Sequence, residues 1–180
     1  MDVMEAIRTR RSVREYLGEP IPDDVMDRMR EALRWAPSAC NFQPWRFVLV
    51  RDATRRRAVA AACREQMWMA AAPVIVVACG LPAKAYKKMG GQGNSVEIDL
   101  AIALDHLTLA AAAEGLGTCW IGAFAEEDVK KLLDVPEDVK VVALTPLSYP
   151  ARPDLLRPDA PSRRKDEAEV FRVDRYEAPA

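Results

Sequence analysis

The sequence predicts an α/β or α+β sandwich, with helices and strands mixed around a strongly hydrophobic central helix. Three observations carry this. Residues 74–79 and 140–147 are continuous apolar runs rich in β-branched side chains, as in strands covered on both faces. Residues 94–114 are helical and apolar nearly all round, through Ile98, Leu100, Ile102, Leu104, Leu107 and Leu109, which marks a buried central helix. Between these runs, amphipathic helical spacings alternate with proline and glycine breaks. The strand order is not readable from such signals.

The elements follow in order. Residues 2–9 form a short helix with Val3, Ala6 and Ile7 on one side, and Pro20 and Pro22 then break the chain. Pro22, Asp23 and Asp24 open a second helix, because proline suits the first turn and acids suit the positive end of the dipole. Its core positions are Val25, Met29, Ala32, Leu33 and Ala36, and Pro37 ends it. Residues 45–50 are a strand, and residues 53–72 an alanine-rich helix whose Arg55, Arg56 and Arg57 face solvent. A glycine- and lysine-containing loop covers 81–93. Asn94 and Glu97 then have the spacing of a capping box. Gly115 and Gly117 stop the long helix, residues 118–121 form a short strand, and residues 126–133 a helix with acids in its first turn. From Pro146 onward prolines and charges dominate. That tail cannot build its own core and must lie on another surface, its own or a partner's.

Composition narrows the function. A chain of 180 residues fits one domain, 1–180, with 151–180 as its extended tail. A net charge of -1 gives no electrostatic reason to expect nucleic acid. No uncharged apolar run is long enough to span a membrane, and Met1 to Arg11 has no secretory pattern. Cysteines at 40, 63, 79 and 119 form no C-x-x-C pair, and His106 is the only histidine, so a zinc site is poorly supported. A reducing, cytoplasmic setting suits these thiols better than disulfides. Gly91-Gln92-Gly93 lacks the third glycine of a dinucleotide fingerprint, and no G-x-S-x-G is present.

Four segments are candidates for chemistry. Arg10-Arg11-Ser12-Val13-Arg14 concentrates guanidiniums and a hydroxyl, groups that suit phosphate or carboxylate oxygens; a solvated basic patch is the alternative. Pro37-Ser38-Ala39-Cys40-Asn41-Phe42-Gln43-Pro44-Trp45 is a polar loop held between a helix end and a strand start, which suits either binding or a locally satisfied turn. Gly117-Thr118-Cys119-Trp120-Ile121-Gly122-Ala123-Phe124 ends a strand in small residues that let backbone N–H groups approach a ligand. Arg163-Arg164-Lys165 is a second anion-sized cluster, or a solvated charge run.

In this order, these four segments resemble the nitroreductase family over nearly the whole chain. The resemblance implies an α+β fold (a mixed α/β sandwich) whose central antiparallel or mixed sheet is flanked by helices, in an intertwined homodimer with one FMN in each of two interface sites. Arg10, Ser12 and Arg164 would bind the phosphate, with Arg163 competing for the last role. Arg14 would approach the pyrimidine edge and Arg11 would contribute mainly backbone. Pro37, Ser38, Ala39 and Asn41 would reach the cofactor from the other subunit. Trp120, Ile121, Gly122 and Ala123 would line the ring, with the N–H of Gly122 or Ala123 donating to flavin N5. No catalytic side chain is implied, because N5 carries the chemistry: hydride from NAD(P)H, then transfer to a nitroaromatic, quinone or enone. His106 is expected to be structural or exposed, and Glu97 and Asp99 to cap or pack their helix. Lys84, Lys87 and Lys88 suit either a phosphorylated donor or solvent. The chain departs from fuller members in its short 80–93 region, in Gly122 where an acid is frequent, and in Ala39 where serine is common. Dehalogenase, flavin-fragmenting or azoline-dehydrogenase chemistry on the same fold, or a flavin-binding module without turnover, are the alternatives.

Overall fold

The computed structural model describes residues 1–91, 93–157 and 164–176. Helices α1 (Val3–Thr9) and α2 (Asp23–Arg34) precede strand β1 (Trp45–Val50), and α3 (Ala53–Ala62) leads to β2 (Val74–Gly80). The long α4 (Val96–Ala113), a short β3 (Gly117–Thr118), α5 (Glu126–Leu133) and β4 (Lys140–Ser148) complete the body, and α6 (Glu167–Val170) lies in the tail. The strands form one sheet of order β1-β2-β4-β3, antiparallel throughout.

The two continuous apolar runs are the two inner strands. Along β2, Val74, Val76 and Ala78 join the core beneath α2 and α4, while Ile75, Val77 and Cys79 join the core beneath α3 and α5. Strand alternation thus buries both faces of one strand in two separate cores. On the first side Met26, Met29, Leu100, Leu104 and Leu107 are almost wholly buried, and on the second Val59, Met69, Val129 and Leu144.

Four expectations need correction. The third helix stops at Ala62, because Arg64 and Glu65 take left-handed backbone (φ 57° each); a 3₁₀ turn, Met67–Ala71, follows. Arg56 is half-buried and donates to the Ala72 carbonyl rather than facing solvent, while Arg55 and Arg57 are exposed. The capping box does not form. Ser95 is the cap residue of α4, the Asn94 side chain accepts from Val96 N–H at 3.0 Å, and Glu97 pairs instead with Lys140.

The fourth correction concerns residues 118–121, which do not form a continuous strand. Ile121 and Leu144 exchange both backbone hydrogen bonds (2.8 and 3.1 Å) and Thr118 pairs with Leu147, but the ladder lapses between them. The alternation set by the Ile121–Leu144 pair turns position 146 of β4 toward β3, and Pro146 has no N–H to give. The Thr145 hydroxyl accepts the Cys119 N–H at 3.1 Å instead. Trp120 is thereby left 44% exposed while its neighbours Cys119 and Ile121 are buried.

Candidate functional site

The Arg10–Arg14 segment leaves α1 as extended chain along the sheet's β3 edge. Its Val13 N–H donates to the Thr118 carbonyl at 2.8 Å, and Ser12 bridges Thr118 in parallel. Extended backbone sends alternate side chains to opposite sides. Val13 is buried, and Arg11 donates to the Arg157 carbonyl at 3.2 Å. Arg10, Ser12 and Arg14 share the other side, where all three act on the Cys119 sulfur. Burial pushes that thiol up; the Arg14 charge, a Ser12 hydrogen bond and the Arg10 charge oppose it. Gly117 is required here: a Cβ would meet Val13 at 2.8 Å.

Two aromatic rings back this segment. Arg14 lies over the Trp68 ring with its guanidinium carbon 5.9 Å from the centroid, and Tyr16 meets the same ring at 6.2 Å. The Tyr16 hydroxyl donates to the Val13 carbonyl at 2.6 Å, and burial pushes its pKa far above the usual phenol range. Immediately downstream of Cys119, Trp120 is half-exposed, Ile121 is buried, and Gly122 and Ala123 are exposed. Among the described residues, the N–H groups of Gly122 and Ala123 have no acceptor.

The Pro37–Trp45 loop is built differently. Residues 39–41 make one 3₁₀ turn in which Cys40 (φ 52°) and Asn41 (φ 55°) take left-handed backbone, as does Gln43 (φ 48°). Each such residue costs roughly 1–3 kcal/mol and persists only where its surroundings impose it. Asp99, 2% exposed, is the restraint: its carboxylate accepts the Ala39 N–H at 2.9 Å and the Ser95 hydroxyl at 2.6 Å. Ser38 accepts the Gln43 N–H at 2.9 Å. Asp99 was expected to cap or pack α4; it also ties this loop to the helix. The sequence does not single it out for that role, since Asp99 is one of three acids, with Glu97 and Asp105, on a largely apolar helix. Trp68 and Gln66 carried no signal either, because they sit in a turn read as helix.

The loop and the arginines do not meet within one chain. Trp45 pairs with Gly80, and Gly80 with Lys140, at the start of β4. Thr118 pairs with Leu147 near its end. That is ~20 Å along the sheet at about 3.3 Å per residue, with the two segments at opposite sheet edges. Of the tail residues, Arg163 lies outside the described residues and Arg164 is exposed.

The model of the nitroreductase family matches residues 7–149. The chain belongs to the nitroreductase family. A nitroreductase-type relative, the putative NADH dehydrogenase/NAD(P)H nitroreductase of Methanothermobacter thermautotrophicus, is 33% identical over 167 residues, 88% of this chain and 85% of that protein. The FMN reductase [NAD(P)H] of Bacillus subtilis is 27% identical over 185 residues, 94% of this chain and 74% of its own. Among solved structures, a nitroreductase family protein from Clostridium novyi NT is 31% identical, with a TM-score of 0.79 over 94% of this chain and 91% of that chain. The nitroreductase match contains the arginine segment, the Asp99-held loop and the Trp120–Ala123 link, and ends before Arg163 and Arg164.

Proposed function

We propose that this chain is an FMN-dependent NAD(P)H oxidoreductase, active as a homodimer with each cofactor site shared between subunits. The observation that carries this reading is the extended Arg10–Arg14 segment pinned along Thr118, which turns Arg10, Ser12 and Arg14 to one side, beside a half-exposed tryptophan and two unpaired N–H groups. That donor set fits FMN: cations and a hydroxyl for a phosphate, an aromatic side chain for a flat ring, and backbone donors for its heteroatoms. Flavin, when bound, supplies two-electron chemistry, taking hydride from NAD(P)H and passing electrons to a nitroaromatic, quinone or enone.

The chain's own residues bind and orient. Arg10 and Ser12 hold phosphate oxygens, with Arg164 or Arg163 of the tail. Arg14 places a fixed cation where negative charge gathers on reduction. Gly122 and Ala123 present N–H donors at the position of hydride arrival. Pro37, Ser38, Ala39 and Asn41 complete the site of the other subunit, which accounts for their distance from the arginines of their own chain. The apolar surface left on α1 supports a second copy: Val3 and Ile7 are 72% and 44% exposed. A groove of about 340 Å³ runs beside them over α4, lined by Ala6, His106, Leu109 and Ala113. Residues 151–157 lie on their own chain, with the Ala151 N–H on the Glu15 carbonyl (2.9 Å) and Arg11 on the Arg157 carbonyl (3.2 Å), and the exposed tail segment 164–171 is the part that would pack across the partner. All four cysteines are free thiols, which suits a reducing cytoplasm.

The decisive measurement is the visible spectrum of purified protein, followed by anaerobic addition of NADPH or NADH and then menadione or a nitrofuran. Oxidised-flavin bands that bleach and return are expected. Arg10→Ala should weaken FMN binding about 10- to 150-fold, the equivalent of one lost charge-assisted hydrogen bond of roughly 1.5–3 kcal/mol. Colourless protein that takes up no added FMN would overturn the reading.

A further inference from the structure

Resting on that cofactor site, we propose that the turn 63–69 is its positioning element, with Trp68 orienting Arg14 and Gln66 clamping the link that carries Gly122 and Ala123. Three observations converge on this turn. Its Trp68 ring lies beneath the Arg14 guanidinium at 5.9 Å, and Tyr16, anchored on Val13, meets the same ring in a tilted contact, 6.2 Å between centroids. An aromatic face attracts a cation and limits the directions it can take. Gln66 spans the other side. Its side-chain amide donates to the Cys63 carbonyl at 2.8 Å and to the Ala123 carbonyl at 3.3 Å. Two residues on, the Ala125 N–H donates to Ala62, so the link is held at two points while the donors between Ile121 and Phe124 stay free.

The third observation is the backbone. Arg64 and Glu65 are consecutive non-glycine residues with φ 57°, and this strained pair reverses the chain directly after α3. Without the reversal the helix would continue, and Gln66 and Trp68 would be carried away from Ala123 and Arg14. Strain of this kind gathers where the surroundings dictate a special geometry. One turn therefore sets both the cation expected at the pyrimidine edge and the donors expected at N5, without touching either atom itself.

The test is a double-mutant cycle between Trp68 and Arg14, read by FMN titration of apo protein and by the midpoint potential of the bound flavin. Trp68→Leu should raise the dissociation constant about 2- to 30-fold, the range of one cation–π contact, and lower the potential. In an Arg14→Ala background the same change should do neither. Trp68→Phe keeps a ring and should fall between, which covers a leucine variant that fails to fold by circular dichroism. Gln66→Leu should weaken binding equally in both backgrounds. Full additivity of Trp68→Leu with Arg14→Ala, or unchanged binding and potential in Trp68→Leu and Gln66→Leu, would overturn the proposal while leaving the cofactor reading intact. Wild-type protein that binds no FMN would overturn both.

Discussion

Val13 and Gly117 illustrate how single residues place this site. Val13 is 1% exposed and rests on the space where a Cβ of residue 117 would stand, with Val13 carbons at 2.8 to 3.0 Å. A branched side chain inside a packed core has little room to give. Gly117→Ala should therefore cost about 1–3 kcal/mol in urea unfolding and weaken FMN uptake, because displacing Val13 moves Ser12 and Arg14 with it. The buried thiols make a second residue-scale prediction. Burial pushes Cys63 up to about 12 and Cys79 up to about 11, from an ordinary value of 9.0. Below pH 9 both states hold the protons, so the contribution to stability is fully present. Between pH 9 and about 11–12 the unfolded chain releases protons that the folded chain keeps, and stability falls as pH rises, by up to ~1.4 kcal/mol per unit for each thiol. Denaturation curves from pH 8 to 11 should show this decline, and a Cys63→Ala, Cys79→Ala variant should show a shallower one.

Among the elements, the interrupted edge between β3 and Ile121 bears most directly on the site. Pro146 cannot donate across it, and the Thr145 hydroxyl takes the Cys119 N–H and donates to the Pro146 carbonyl at 3.0 Å. Thr145 is 1% exposed, so Thr145→Val keeps the volume but strands a buried donor. Such a group costs about 1–3 kcal/mol. The variant should lose that much stability by denaturant titration and shift Trp120 fluorescence, since Trp120 is held at the surface by this irregularity. Unchanged stability would show that water satisfies Cys119 without the hydroxyl. The turn after α3 has the same character: an irregular segment beside regular elements, carrying the groups that reach the site.

At the scale of the whole molecule, the Pro37–Trp45 loop and the Arg10–Arg14 segment, the two parts of the proposed site, lie at opposite edges of one sheet. α4 is long enough, about 27 Å at 1.5 Å per residue, to separate the Asp99-held loop from the Ser12 cluster. A second copy is the simplest way to join the halves. Ile7→Glu with Val3→Glu places charges on α1 without disturbing the single chain's core, because both side chains are already exposed. These changes should convert a dimer to a monomer in sedimentation velocity and release FMN at the same time. A monomer that retains FMN at full occupancy would contradict the shared site.

Local rules were enough for most of the regular architecture. Trp45–Val50 and Glu126–Leu133 have the bounds that pattern and turn residues dictate, and β2 is buried on both faces as its unbroken apolar run requires. The arginine, loop and tryptophan segments could be picked out as well, because clustered guanidiniums and small residues at a strand end are written in adjacent positions. The strand order, the break at Arg64 and Glu65, the lapse opposite Pro146 and the roles of Asp99, Gln66 and Trp68 could not. Each depends on a partner distant in the chain: Ala39 for Asp99, Ala123 for Gln66, Arg14 for Trp68. Periodicity reports which face of an element is apolar, whereas these contacts arise only when packing brings remote backbone groups within hydrogen-bonding distance.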